Sequence, residues 1–101
     1  MERRMAQVIR MPDNFISKAD REKLESFGAH VIVHGRATRW HWAKDIGGGD
    51  IFEIYKAGPK GTLIVRIRRD RPRDVFCAED ASGGLVAAGT LAHVMAVLER
   101  Q

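Results

Sequence analysis

The chain has 101 residues, 45% hydrophobic and 30% charged, which suits one globular domain and excludes both a disordered polymer and two independently folding halves. Seventeen basic residues against 13 acidic ones leave a formal net charge of +4, which permits a nucleic-acid partner without requiring one. One cysteine, Cys77, excludes an internal disulfide framework, and no stretch approaches the ~18 consecutive apolar residues of a membrane span.

The opening MERRMAQVIRMP is basic but has no apolar run of signal-peptide length, so a soluble, cytoplasmic protein is the expectation. Residues 1–5 are expected to fray, and residues 6–11 have the composition of a short edge strand. Ser17, with Asp20 three residues on, marks a helix start. That helix is expected to bury Ala19, Leu24 and Phe27, with Ile16 at its entry, and to stop at Gly28. The β-branched run that follows (AHVIV, residues 29–33) predicts a strand, with His30, Ile32 and His34 on one face. Gly35 is read as a bulge ahead of a further strand over residues 37–44, where Trp40 and Trp42 share a face opposite Arg39 and His41.

DIGGG (residues 45–49) is a hairpin connection leading to a strand at 50–56, with Phe52 and Ile54 on one side and Ile51, Glu53 and Tyr55 on the other. A Gly-Pro turn near residues 57–61 feeds the central strand. There Leu63, Val65 and Ile67 alternate with Thr62, Ile64, Arg66 and Arg68. After Pro72 come a strand at 75–78, the loop EDASGG, and a returning strand at 85–88. Thr90 caps a closing helix in which Leu91, Val94, Met95 and Leu98 recur at helical spacing. The fold class is therefore α+β: one two-layer domain, an antiparallel sheet of about four to five strands with an N-terminal and a C-terminal helix on one face.

If every strand turns its apolar side to the helices, His30, His34, Arg39, His41, Glu53, Tyr55, Arg66 and Arg68 share the other side. Arginine forks suit carboxylate or phosphate, and tyrosine can stack on bases. The competing reading is a solvated sheet face with arginine stems lying over apolar surface. Ile32, Ile51 and Ile64, interspersed among the polar residues, suggest that the face is not purely solvent-facing and that a partner or a further segment of the chain covers it. The turn RRDRPR adds Arg69, Arg71 and Arg73 beside Arg68; from Lys60 to Arg73 there are six basic residues against Asp70 alone. Such a knob neutralises phosphates or steers association with an acidic protein, or simply solubilises the turn. His30 and His34, placed on a strand, would stand ~13 Å apart, too far for one metal ion. No metal or cofactor is expected. Gly47–Gly49 lack the strand–loop–helix context of a phosphate cradle, and Trp40 and Trp42 read as core or interface aromatics.

Three functions fit these residues. The first is a non-enzymatic binding protein or inhibitor docking on a protein or nucleoprotein complex through Arg39, His41, Tyr55, Arg66, Arg68, Arg69, Arg71 and Arg73. In size and make-up the chain is similar to small phage-encoded inhibitors of bacterial defence such as anti-CRISPR proteins, a similarity of format that transfers no residues. The second is direct nucleic-acid binding, since the helix–strands–helix order resembles a double-stranded-RNA-binding domain. That family's lysine cluster at the start of the last helix is replaced here by Gly89-Thr90-Leu91-Ala92-His93. The third is a small metal-independent ribonuclease of the toxin type, with His30, His34 or His41 exchanging protons and Arg66 or Arg68 stabilising developing charge. No membrane partner is expected, and a homodimer is left open.

Overall fold

The computed structural model describes residues 15–57 and 61–101. The expectations for residues 1–14, fraying and edge strand included, and for the Gly-Pro turn at 58–60 lie outside that range. The described chain runs α1 (Lys18–Val33), β1 (Arg39–Lys44), β2 (Asp50–Lys56), β3 (Thr62–Asp70), β4 (Val75–Glu79), β5 (Leu85–Gly89) and α2 (Leu91–Glu99). The strands form one antiparallel sheet in sequence order. Both helices pack on the same side of it, giving the two-layer α+β fold expected from the pattern.

α1 begins as its sequence implies, with the Ser17 hydroxyl accepting from Asp20 N. It does not end at Gly28, and the strand expected at residues 29–33 is helix. The buried residues of α1 are Leu24, Phe27, Gly28 and Val31, an i, i+3, i+4, i+7 stripe that carries straight through the glycine. Gly28 serves close packing instead: a Cβ there would lie 2.5 Å from Trp40 Cδ1 and 2.9 Å from Phe52 Cζ. The stop is Gly35, with φ of 74°. Gly35 N donates to Ile32 O and Arg36 N to Val31 O, the paired hydrogen bonds of a Schellman ending, so Gly35 is not a strand bulge. His30 and Ile32 therefore belong to α1, His34 caps its end, and none of the three is in the sheet.

The core lies between the layers. Phe52, Ile67, Leu24, Val94 and Ile16 are fully enclosed, and Trp40 and Trp42 pack beside Phe52 on the helix side of the sheet. Asp50, 4% exposed, locks the start of α1 to the β1–β2 hairpin. Its carboxylate accepts from Lys44 Nζ at 2.8 Å, Arg21 at 3.2 Å and Ile16 N at 3.3 Å. Burial opposes its ionisation, but the hydrogen bonds from Lys44 and Ile16 and the charges of Lys44 and Arg21 outweigh that and hold the carboxyl below its ordinary value.

α2 is capped by Thr90, whose hydroxyl accepts from His93 N, and it buries Leu91, Val94 and Leu98, with Met95 only partly covered. Its last carbonyls meet a side chain from the other helix's exit turn. The Arg36 guanidinium donates to Leu98 O, Glu99 O and Gln101 O. Together with His30 Nε2 to Glu99 Oε2 at 2.6 Å, this ties the C-terminal ends of α1 and α2 together.

Candidate binding face of the sheet

Register decides which side chains meet on the side away from the helices. β1 and β2 pair Arg39 with Tyr55 and His41 with Glu53, while β2 and β3 pair Glu53 with Arg66 and Ile51 with Arg68. β3 and β4 then pair Arg66 with Glu79 and Arg68 with Cys77. Cross-strand partners point the same way, so Arg39, His41, Tyr55, Arg66 and Arg68 share this face, with no helix over it among the described residues.

Four of the five, all but Arg68, are organised around a residue that the sequence marks only as a neighbour. Glu53 is 7% exposed although it sits on the uncovered face, because its own neighbours enclose it. It accepts from His41 Nε2 at 2.8 Å, Tyr55 Oη at 3.1 Å and Arg66 Nε at 3.0 Å. Burial opposes the charge, yet the three donors and the Arg66 cation win, and the carboxyl titrates below its ordinary value. The Tyr55 phenol is pushed up, because burial disfavours phenolate and the hydrogen bond and charge of Glu53 add to it.

Arg39 completes the cluster from the sheet edge. Its NH1 lies 2.9 Å from His41 Nδ1 and its guanidinium stacks 4.2 Å from the centre of the Tyr55 ring. Arginine can only donate, so Nδ1 accepts and the ring proton sits on Nε2, aimed at Glu53. Both nitrogens of His41 are thereby engaged. One rung along, Arg68 NH2 reaches Glu79 at 3.0 Å, which raises the guanidinium pKa further. On this face three guanidiniums oppose two carboxylates, and the side chains of the paired Arg66 and Arg68 remain 34% and 36% exposed.

The other arginines do not join them. Arg69 pairs with Phe76 on the helix side of the sheet end, its guanidinium 5.4 Å from that ring and bonded to Asp74. Arg71 and Arg73 lie in the exposed turn, where Arg73 meets Asp70 at 3.4 Å. Asp70 and Asp74 thus neutralise much of the knob, and Arg71 has no ion-pair partner among the described residues. Asp74, with φ of 55°, supplies the left-handed residue that closes the turn.

His30 and His34 lie elsewhere again. On a helix they are one turn apart, and their ring centres are 4.3 Å from each other instead of the strand spacing expected. Among the described residues no group of three or more histidines, cysteines or carboxylates is placed to hold a metal ion. No described helix is long and apolar enough to cross a membrane. No family model, curated protein or solved structure gives a significant match to the chain.

Proposed function

We propose that the protein is a non-enzymatic binding module, of the inhibitor type, that docks on a protein surface, free or within a nucleoprotein, through the uncovered sheet face and the tip of the β3–β4 turn. The observation that carries this reading is the Glu53-centred cluster. A nearly buried carboxylate orients Arg66, His41 and Tyr55, and Arg39 stacks on Tyr55, so the side chains a partner would meet are held before it arrives. Arginine and tyrosine are the residue types that dominate binding energy at such surfaces.

Direct nucleic-acid binding is less well supported by the same geometry. Trp40 and Trp42 face the core, and Arg39 already occupies one side of Tyr55, so bases find little to stack on. Ribonuclease chemistry needs a ring nitrogen turned to the substrate, whereas Arg39 and Glu53 take both nitrogens of His41.

Affinity capture followed by mass spectrometry tests the proposal, comparing wild type, Arg66→Glu/Arg68→Glu, and a helix-side control, Lys23→Glu. The expected result is a defined protein recovered by wild type and control, lost with the double variant, and retained after nuclease treatment. Equal recovery with the double variant overturns the docking face. Loss of the partner on nuclease treatment, together with a salt-sensitive gel shift by the purified protein, assigns the face to nucleic acid instead.

A further inference from the structure

At the end of the molecule where α1 and α2 finish, the two layers do not close on each other. A cavity of about 190 Å³ opens there. Phe27, Val31 and Leu98 line it from the helices, and Ile54 and Val65 from the sheet. Ala37 adds to the apolar wall, and the rest of it comes from two β-bulges. Ile54 pairs with Val65 and Tyr55 with Leu63, leaving Ile64 without a partner on β2. Ala78 pairs with Ala87 and Glu79 with Leu85, leaving Val86 without one on β4. Both extra residues line the cavity. A bulge re-aims a side chain and increases local twist, and here the two bulged residues, Ile64 and Val86, both meet the hollow beside the Arg36 bridge.

From this architecture we infer that the cavity is a binding site for a small, uncharged, apolar molecule, of the size of one aromatic ring with a short substituent. Size gives the upper bound, because an apolar cavity of ~150 Å³ already takes up benzene. The rim gives the chemical class. Arg36 and Asp80 stand at the cavity, each already held by several hydrogen bonds within the protein. NH1 and NH2 of Arg36 donate to the three carbonyls at the end of α2, and Asp80 Oδ1 accepts from Ser82 N, Ser82 Oγ and Gly84 N. The third polar residue at the rim, Gln101, has an uncharged side chain. A charged ligand of either sign would lose its water beside a like charge, Arg36 for a cation and Asp80 for an anion, whereas an apolar one gains contacts along every wall. Occupation would also brace the Arg36 bridge between the helix ends, so ligand binding is expected to stabilise the fold.

Toluene and benzoate are suitable probes, being matched in ring size while toluene is neutral and benzoate carries one negative charge. Methyl-resolved NMR on the full chain should show saturable shifts with toluene at Val31, Ile54, Ile64, Val65, Val86 and Leu98, and a rise in Tm. Benzoate should bind at least tenfold more weakly. Val86→Phe, which fills the hollow, should weaken toluene binding at least tenfold. Ile64→Phe, at a residue 39% exposed, does the same from the mouth if Val86→Phe does not fold. Absence of shifts at these methyls up to the solubility of toluene, undiminished binding in the filled variants, or equal binding of benzoate would each overturn the inference.

Discussion

Replacing Gly28 by alanine sets two opposed effects against each other at one atom. On helix propensity alone the change should stabilise α1 by about 1 kcal/mol, since glycine is the poorest ordinary residue in a helix interior. The packing says otherwise. The new Cβ would stand 2.5 Å from Trp40 Cδ1, 2.8 Å from Trp40 Cγ and 2.9 Å from Phe52 Cζ, against an optimum near ~3.5–4.0 Å between carbon atoms. Neither ring yields readily. The Trp40 atoms are at the root of a rigid indole, and Phe52 is fully enclosed with Trp40 and Trp42 ring centres at 5.4 and 4.9 Å. Overpacking of this kind costs typically ~1–3 kcal/mol, and three overlaps near 1 Å put this site at the upper end. The net expectation is a loss of about 1–2 kcal/mol, or roughly 5–15 °C in Tm for a domain of this size. Urea and thermal unfolding followed by tryptophan emission measure it directly, because Trp40 is itself at the contact. A Gly28→Ala protein as stable as wild type, with unchanged emission, would refute the claim that α1 passes this close to the sheet.

Gly35→Ala tests the other glycine by a different route. Nothing lies within 4 Å of its missing Cβ, but φ is 74°, so a loss of about 1 kcal/mol should come from backbone strain, with tryptophan emission unaltered. Acid should destabilise the fold in a defined direction. Asp50 and Glu53 are held below their ordinary values of 3.8 and 4.5, so the unfolded chain takes up protons first as pH falls. Their contribution is complete above those ordinary values and is lost progressively as pH drops through them to the lower folded values. Tm should therefore fall below about pH 4.5, and Glu53→Gln should flatten the decline while costing about 1–3 kcal/mol at neutral pH. Val94→Asp, at a fully buried position of α2, should abolish cooperative unfolding at 37 °C; a sigmoidal melt near that of wild type would contradict the orientation of the helix. Purified protein should leave RNA intact on long incubation with EDTA present, and cleavage that disappears in His41→Ala would replace the docking proposal with a catalytic one.

Much of the fold follows from relations between residues close in sequence. Ser17 and Thr90 cap helices because each hydroxyl needs only the amide three residues on. The alternation in β2 and β3 places Phe52, Ile54, Val65 and Ile67 inside because successive strand residues point oppositely. The same alternation puts Arg39, His41, Tyr55, Arg66 and Arg68 together on the other side. The β-branched segment at 29–33 misleads, since intrinsic preference there is weak and the burial of Val31 on the inner face of α1 overrides it. The spacing Leu24, Phe27, Gly28, Val31 carried the helical signal, had a glycine been admitted to an apolar stripe.

What local sequence determines, then, is the order of elements and the polarity of each strand's two sides, because both depend on short-range geometry. The hub at Glu53 belongs to tertiary structure alone. His41 lies 12 residues before it and Arg66 13 after, and only the lateral register of three strands brings their donors onto one carboxylate. The partial neutralisation of the arginine turn is likewise a matter of how a hairpin closes, and the close approach at Gly28 a matter of how a helix rests on a sheet. Such contacts are set by the simultaneous packing of segments distant along the chain, which no pattern of near neighbours encodes.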